Sequence, residues 1–136
     1  MARHVFLSFA SADLQQVNLF RGQARSIATD LEFYDYSVKE PSDSQDADYI
    51  RRKIRELIRY VSVTVCLIGE NTWTSKWVDW ELSTSASLEK GLLGVTLNDR
   101  AWFKPQPLID HRAKVVSWNI SSVVAAIEEA ARNAGY

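Results

Sequence analysis

The run VSVTVCLIG, from Val61 to Gly69, is nearly all apolar, and this composition decides the fold class. A strand with only one buried face alternates apolar and polar residues, whereas a strand buried on both faces is apolar almost throughout. Strands of the second kind occur in parallel sheets that helices cover on both sides. The run therefore predicts a central strand of an α/β fold.

Four further runs of apolar or aromatic residues predict the remaining strands of the sheet. In chain order they are HVFLSF (His4 to Phe9), LEFYDY (Leu31 to Tyr36), LLGVTL (Leu92 to Leu97) and AKVVSW (Ala113 to Trp118). The run that ends at Gly69 is then the third of five strands.

Apolar residues at helical spacing predict four helices between and after these strands. The first is capped by Ser11 or Asp13, ends near Thr29 and has Leu14, Val17, Ala24 and Ile27 as its apolar positions. The others are Ala47 to Tyr60, a helix capped by Thr74 or Ser75 that Gly91 ends after Lys90, and Ile120 to Asn133. Residues 98–112 contain two prolines and leave room for at most one short helical turn.

Alternating strands and helices predict one flavodoxin-like domain over residues 1–136, with a five-stranded parallel sheet in the order 2-1-3-4-5. In such sheets ligands bind outside the carboxyl ends of the strands, at the switch between strands one and three. That rule selects the loops FASAD, YDYSVKEPSD and GENTWTSKW, which follow strands one, two and three.

Composition and charge exclude several classes of function. A formal net charge of −1 and a pI near 6.1 argue against binding of nucleic acid or an acidic membrane, which requires excess Lys and Arg. The single cysteine, Cys66, fits a reducing compartment, and the chain has neither a signal-like start nor 18 consecutive apolar residues. We expect a cytoplasmic, unanchored protein. His4, His111 and Cys66 have no metal-ligand spacing, so we expect no metal.

The segment SKWVDWEL, Ser75 to Leu82, places one acid between large aromatic side chains at the start of the third helix. Helical phase puts Glu81 at the boundary between the core and the predicted cleft, on the same side as Trp77. A carboxylate beside indole rings loses hydration, so its pKa should rise. The alternative is that Trp77 and Trp80 only pack the core, while Glu81 stabilises the helix N-terminus.

The segments VFLSF, FYDYS, VTVCLIGENTWTSKWVDWEL and GLLGV resemble the TIR-like domain of the Thoeris antiviral defence systems of prokaryotes, over essentially the whole chain. The resemblance implies cleavage of NAD at the nicotinamide ribosyl bond, with NAD as a substrate and no further cofactor. It also implies a cyclic ADP-ribose-type product that switches on an effector protein. The catalytic glutamate of the family's WxxxE pattern falls on Glu81, and its tryptophan on Trp77.

The neighbouring loops supply candidate substrate-binding residues. Phe9, Ala10 and Ser11 offer an apolar wall and backbone N–H groups at a helix N-terminus for a phosphate. Asp35 and Ser37 are candidates to bind ribose or close the cleft, with a turn-forming pair as the alternative. Trp77 suits stacking on a cationic pyridinium ring, with a packing role as the alternative.

Two other functions fit the same residues. A nucleoside deoxyribosyltransferase-like enzyme would use the glutamate to form a covalent sugar adduct and would ignore NAD. A non-catalytic TIR adaptor would self-associate through its surface helices and the second-strand loop. That loop has Pro41 but no glycine, unlike the Pro-Gly-containing loop of many TIR domains. The helix segment RRKIRELIR is interpreted as a solvated outer face rather than a phosphate site.

Overall fold

The computed structural model describes residues 3–27, 30–35 and 47–136. They form an α/β flavodoxin-like fold whose five strands pair in parallel in the order β2-β1-β3-β4-β5, which confirms the predicted topology. The strands are β1 (Arg3–Phe9), β2 (Leu31–Tyr34), β3 (Val63–Ile68), β4 (Gly91–Thr96) and β5 (Lys114–Ser117). Every residue of β3 is buried, as its composition predicts.

Five helices accompany the sheet in the part of the chain that the structure describes: α1 (Leu14–Ile27), α2 (Ala47–Tyr60), α3 (Lys76–Ser87), α4 (Gln106–Asp110) and α5 (Ile120–Asn133). The bounds of α2 and α5 match the sequence prediction, and α4 is the single short turn expected before β5. Two 3-10 turns, Ser11–Asp13 and Thr72–Thr74, precede α1 and α3. Within the described ranges, no helix combines the length and apolar character needed to cross a membrane.

The two faces of the sheet carry separate apolar layers. Val5 and Leu7 of β1 pack with α1 and α5, whereas Phe6 packs with Ile54 and Ile58 of α2. Val78 and Leu82 of α3 join Cys66 and Ile68 of β3 in a third cluster. Because side chains alternate along a strand, Ser8 lies on the same face of β1 as Phe6, towards α2 and α3.

The predicted apolar stripe of α1 was wrong at both of its ends. Val17, Phe20 and Ala24 are buried, but Leu14 is 38% and Ile27 63% exposed. Leu14 and Ile27 lie at the two ends of α1, outside the Val17 to Ala24 stretch that packs in the core cluster on the sheet.

The predicted end of α3 was also wrong, because Gly91 is the first residue of β4 rather than a helix cap. The helix ends at Ser87, and Glu89 adopts the left-handed conformation with φ of 61°. The amides of Glu89 and Lys90 donate to the Ala86 and Ser85 carbonyls, each at 3.0 Å, as in a Schellman cap. Gly91 is needed for a different reason: a Cβ there would lie 2.6 Å from the Ala130 carbonyl oxygen.

We predict that Glu89→Gly stabilises the protein by about 0.5–1 kcal/mol. The left-handed conformation costs a non-glycine residue about 1–2 kcal/mol, which is partly offset because glycine adds entropy to the unfolded chain. Urea unfolding measures the change, with Glu89→Ala as the control. A gain with alanine equal to that with glycine would show that the backbone conformation is not the cause.

Candidate active site

Glu81 lies between α3 and the carboxyl end of β1. Its side chain is buried, with 6% of the residue exposed. The Ser8 hydroxyl donates a hydrogen bond of 2.6 Å to Glu81 Oε1. The acid that the sequence places near the cleft is thus enclosed between helix and strand, with one hydroxyl as its partner.

The position of Glu81 follows from how α3 begins and packs. Ser75 caps the helix, since its hydroxyl accepts a hydrogen bond of 3.2 Å from the Val78 amide. Val78 and Leu82 are fully buried against β3 and β4, which fixes the rotation of the helix about its axis. Glu81, one position before Leu82, is then turned towards β1 and Ser8.

Burial raises the pKa of Glu81 to about 8. Loss of hydration is the main cause; the Ser8 hydrogen bond opposes it, and the nearby charge of Asp35 adds to it. The direction is the one that the sequence predicts for an acid among indole rings. At neutral pH most molecules therefore hold a proton on this carboxyl group.

Ser8 was missed as a candidate site residue. It is fully buried in β1, among the apolar residues of the strand. A hydroxyl in a strand buried on both faces needs a partner, and this one lies near the strand's carboxyl end. That combination could have identified Ser8 as a candidate. Its partner could not be identified from the sequence, because Glu81 is 73 residues away.

Asp35 follows β2 directly and forms an ion pair with Arg21 of α1. Only 15% of the Asp35 side chain is exposed, and Arg21 Nε is buried without a hydrogen-bond partner among the described residues. Asp35 is near enough to Glu81 for its charge to affect the Glu81 pKa. Its predicted partner in ribose binding, Ser37, lies outside the described residues.

The three candidate substrate-binding residues at the carboxyl end of β1 do not share one environment. Phe9 is half-buried and packs on the α1 and α5 side of the sheet, the face opposite Ser8. Ala10 is half-buried, and Ser11 opens the exposed 3-10 turn before α1. Their contact with a substrate stays a prediction. Of the three, only Ala10 and Ser11 lie in the loop beyond the strand.

Trp77 and Trp80 pack against the α2 layer that includes Phe6. Their rings meet edge to face, with centroids 5.9 Å apart and an interplanar angle of 84°. The guanidinium carbons of Arg51 and Arg55 lie 5.3 Å and 5.7 Å from the ring centroids of Trp77 and Trp80. Two cations of the segment RRKIRELIR thus stack on tryptophans, which corrects the interpretation of that helix as merely a solvated face.

A second contact joins the loops that follow β1 and β3. Thr72 Oγ1 accepts a hydrogen bond of 2.8 Å from the Gly69 amide and donates one of 3.2 Å to Asp13 Oδ2. The Asp13 carboxylate lies directly against Gly69, where any Cβ would collide with it. Asp13, one of the two residues predicted to cap α1, therefore anchors the loop that leads into α3.

A cavity of about 730 Å³ lies at the opposite, amino-terminal edge of the sheet. It is bordered by the residues that follow α3 and α4 and by the end of α5. No buried carboxyl group faces it, and helix C-termini direct their carbonyl oxygens to this edge. Glu81, the buried acid, is therefore the candidate site residue. Across the described ranges, no three His, Cys, Asp or Glu side chains converge as a metal site requires.

The sequence matches a known protein family over most of its length. The family model of Thoeris protein ThsB, TIR-like domain, matches residues 6–101, which include Ser8, Asp35 and Glu81. No curated protein matches the chain. Among solved structures, it is similar to the TIR domains in the structure of the activated Roq1 resistosome directly recognizing the pathogen effector XopQ. The identity is 16%, over 98% of this chain and 83% of that chain, with a TM-score of 0.48.

We predict that Glu81→Gln stabilises the protein increasingly between pH 5 and 8. The pKa of Glu81 is higher in the folded state than in the unfolded state. The contribution of Glu81 to wild-type stability is therefore fully present below about pH 4.5 and is lost as pH rises towards about 8. Glutamine does not titrate, and its oxygen can still accept from Ser8. The difference in unfolding free energy should grow by up to about 1.4 kcal/mol per pH unit. A difference that stays constant over this range contradicts the buried, protonated acid.

Proposed function

The chain belongs to the family of the TIR-like domain of Thoeris protein ThsB, and from this membership we propose that it cleaves NAD at the nicotinamide ribosyl bond. The observation that carries the proposal is Glu81: a buried carboxyl group with a raised pKa, hydrogen-bonded to Ser8 beside the switch point of the sheet. Perturbed acids in such positions are candidate catalytic groups.

The leaving group explains why one acid is sufficient. Ordinary glycosidases use two carboxyl groups, because a sugar alcohol leaves poorly unless an acid protonates it. In NAD the nicotinamide is a pyridinium cation, so the electron pair of the broken C–N bond neutralises it and no proton is needed. The remaining requirement is to stabilise the positive charge that develops on the ribose, which an ionised Glu81 would do.

Burial makes that stabilisation strong but requires the carboxyl group to ionise first. A charge in a water-poor site acts on its neighbours far more strongly than one in water. The same burial keeps Glu81 largely protonated at neutral pH while the site is empty of cations. A bound pyridinium ring favours the charged form of the acid, so substrate binding should release the proton. Ser8 would hold the ionised oxygen in place throughout.

The same site can account for a cyclic ADP-ribose-type product. An enclosed acid limits the access of water to the ribosyl cation, which leaves capture by a nucleophile of the substrate itself as the competing route. Such a nucleotide would act as the signal to an effector protein in antiviral defence. Family membership favours this proposal over a nucleoside deoxyribosyltransferase-like enzyme. A non-catalytic, self-associating adaptor is the competing proposal.

We predict that Glu81→Gln lowers the rate of NAD cleavage by a factor of about 10² to 10³, the usual effect of removing one electrostatic stabiliser. Glutamine keeps the size and the Ser8 hydrogen bond but cannot carry the charge. The rate is measured by mass spectrometry of nicotinamide and nucleotide products from purified protein, under conditions in which the parent protein is active.

Asp79→Asn is the matched control, because it makes the same chemical change two residues earlier in α3. Partial burial raises the pKa of Asp79, but its Oδ1 has no hydrogen-bond partner among the described residues, and the Ser8 hydroxyl donates to Glu81 instead. Its turnover should equal that of the parent. Loss of activity in both variants, or in neither, would rule out Glu81 as the catalytic group. A correctly folded parent that never cleaves NAD, with or without its cellular trigger, would favour the adaptor.

We further predict that kcat/KM for NAD rises with pH up to about 8 and then levels. This quantity follows ionisation of the free enzyme, and the form without the proton is the active one. Ser8→Ala should move the midpoint upward, because the hydrogen bond that favours the charged carboxylate is lost. A profile that falls across the same range would assign Glu81 the role of a proton donor instead.

A further inference from the structure

Three aromatic side chains at the carboxyl edge of the sheet are exposed although they are large and apolar. Trp73, Trp102 and Phe103 are 44%, 70% and 56% exposed, and we call them the aromatic shelf. The Trp73 and Phe103 rings are in contact, with centroids 5.1 Å apart. Trp73 comes from the 3-10 turn before α3, and the other two come from the loop after β4. Exposed apolar side chains grouped in this way usually mark a binding surface.

Both loops that carry the shelf are held in place by hydrogen bonds. The turn that contains Trp73 is anchored through Thr72 to Asp13. In the other loop, Asn98 Oδ1 accepts from the Arg100 amide at 2.9 Å, and Asn98 Nδ2 donates to Gln16 of α1 at 3.3 Å. A surface that is ordered before binding loses less entropy when a ligand arrives.

The residues that flank the shelf along the chain include more cations than acids: three basic residues against the two exposed acids Glu70 and Asp99. Arg100 and Lys104 flank Trp102 and Phe103 along the chain, and Lys76 begins α3 just after Trp73. All three are exposed, and none of them forms an ion pair with another described residue. Stacking rings next to free cations is the combination that binds a base and its phosphates.

The shelf also lies at a suitable distance from Glu81. Glu81 contacts Ser8 on β1, whereas Trp102 and Phe103 follow β4, which is two strand positions away. Neighbouring strands are about 4.8 Å apart, so the lateral separation is about 10 Å. A dinucleotide whose nicotinamide riboside lies at Glu81 can extend its second nucleoside over such a distance. Formation of a cyclic product then requires the adenosine to leave the shelf after nicotinamide has departed, so that its nucleophile reaches the ribosyl cation at Glu81.

We infer that the aromatic shelf binds the adenine of a dinucleotide by stacking, with Arg100 and Lys104 facing its phosphates. The inference rests on the proposed function, because it assigns the other half of the same substrate. A protein partner fits less well: a stable interface buries about 800 Å² on each side, through 20–30 residues, far more than three rings provide.

The test compares binding of two fragments of the substrate, measured by calorimetry. ADP-ribose contains the adenylate half, and nicotinamide mononucleotide lacks it. Trp73→Ala and Phe103→Ala should each weaken ADP-ribose binding at least fivefold, the effect of about 1 kcal/mol of base stacking, and leave the mononucleotide unaffected. Tyr60→Ala removes an equally exposed aromatic ring from the end of α2 and should change neither.

The Glu81→Gln variant separates this inference from the proposed activity, because it should still bind ADP-ribose in a shelf-dependent way. If that binding is seen and NAD is never cleaved, the shelf assignment stands and the proposed reaction fails. If NAD is cleaved but the shelf variants bind ADP-ribose as the parent does, the shelf assignment is wrong. Failure of the parent to bind ADP-ribose also overturns it, as does loss of self-association in the shelf variants with no change in nucleotide binding.

Discussion

Burial of one carboxyl group between α3 and β1 is the constraint on which the rest of the site depends. Two conditions allow Glu81 to be buried. Ser8 supplies a hydrogen bond to its carboxyl group, and the raised pKa keeps that group in its neutral form. Both conditions require that α3 keep a fixed rotation and distance relative to β1. The contacts around α3 maintain this rotation and this distance.

Those contacts come from three sides. The Ser75 cap fixes where the helix begins, and the link from Asp13 to Thr72 holds the loop before it. Val78 and Leu82 press the inner face of the helix onto the sheet. On the outer side, Arg51 and Arg55 of α2 cover the rings of Trp77 and Trp80. The tryptophans that attract attention in the sequence thus connect two helices, and they hold the acid in position whether or not a substrate also stacks on them.

The two edges of the sheet differ in the features that they carry. At the amino-terminal edge, α3 and α4 end in left-handed residues, Glu89 and Arg112, and α5 approaches β4 closely at Gly91. At the carboxyl edge lie the buried acid, the ion pair of Arg21 with Asp35, and the exposed aromatic shelf. A buried ionisable group is costly to a fold, and here it lies at the edge where parallel sheets bind ligands. Exposed aromatic rings occur at both edges, since Tyr60 at the end of α2 is also exposed.

The sequence by itself determined the sheet order, the extents of α2 and α5, and the position of Glu81 near the switch point. The helix extents depend on local periodicity, since a helix with one apolar side shows this within its own residues. The sheet order followed instead from the alternation of strands and helices along the whole chain. Helix ends were less certain, because the hydrogen bonds of a cap allowed Glu89 to take a conformation that glycine usually supplies.

Only the tertiary structure decided which side chains meet. Ser8 and Glu81 are 73 residues apart, Thr72 and Asp13 are 59 apart, and Trp73 meets Phe103 across the carboxyl ends of β3 and β4. Each pair is set by strand order, by register and by the rotation of a helix on the sheet, and none of these has a local signal at either residue. For this reason the acid and the direction of its pKa shift could be predicted from the sequence, but its hydroxyl partner and the aromatic shelf could not.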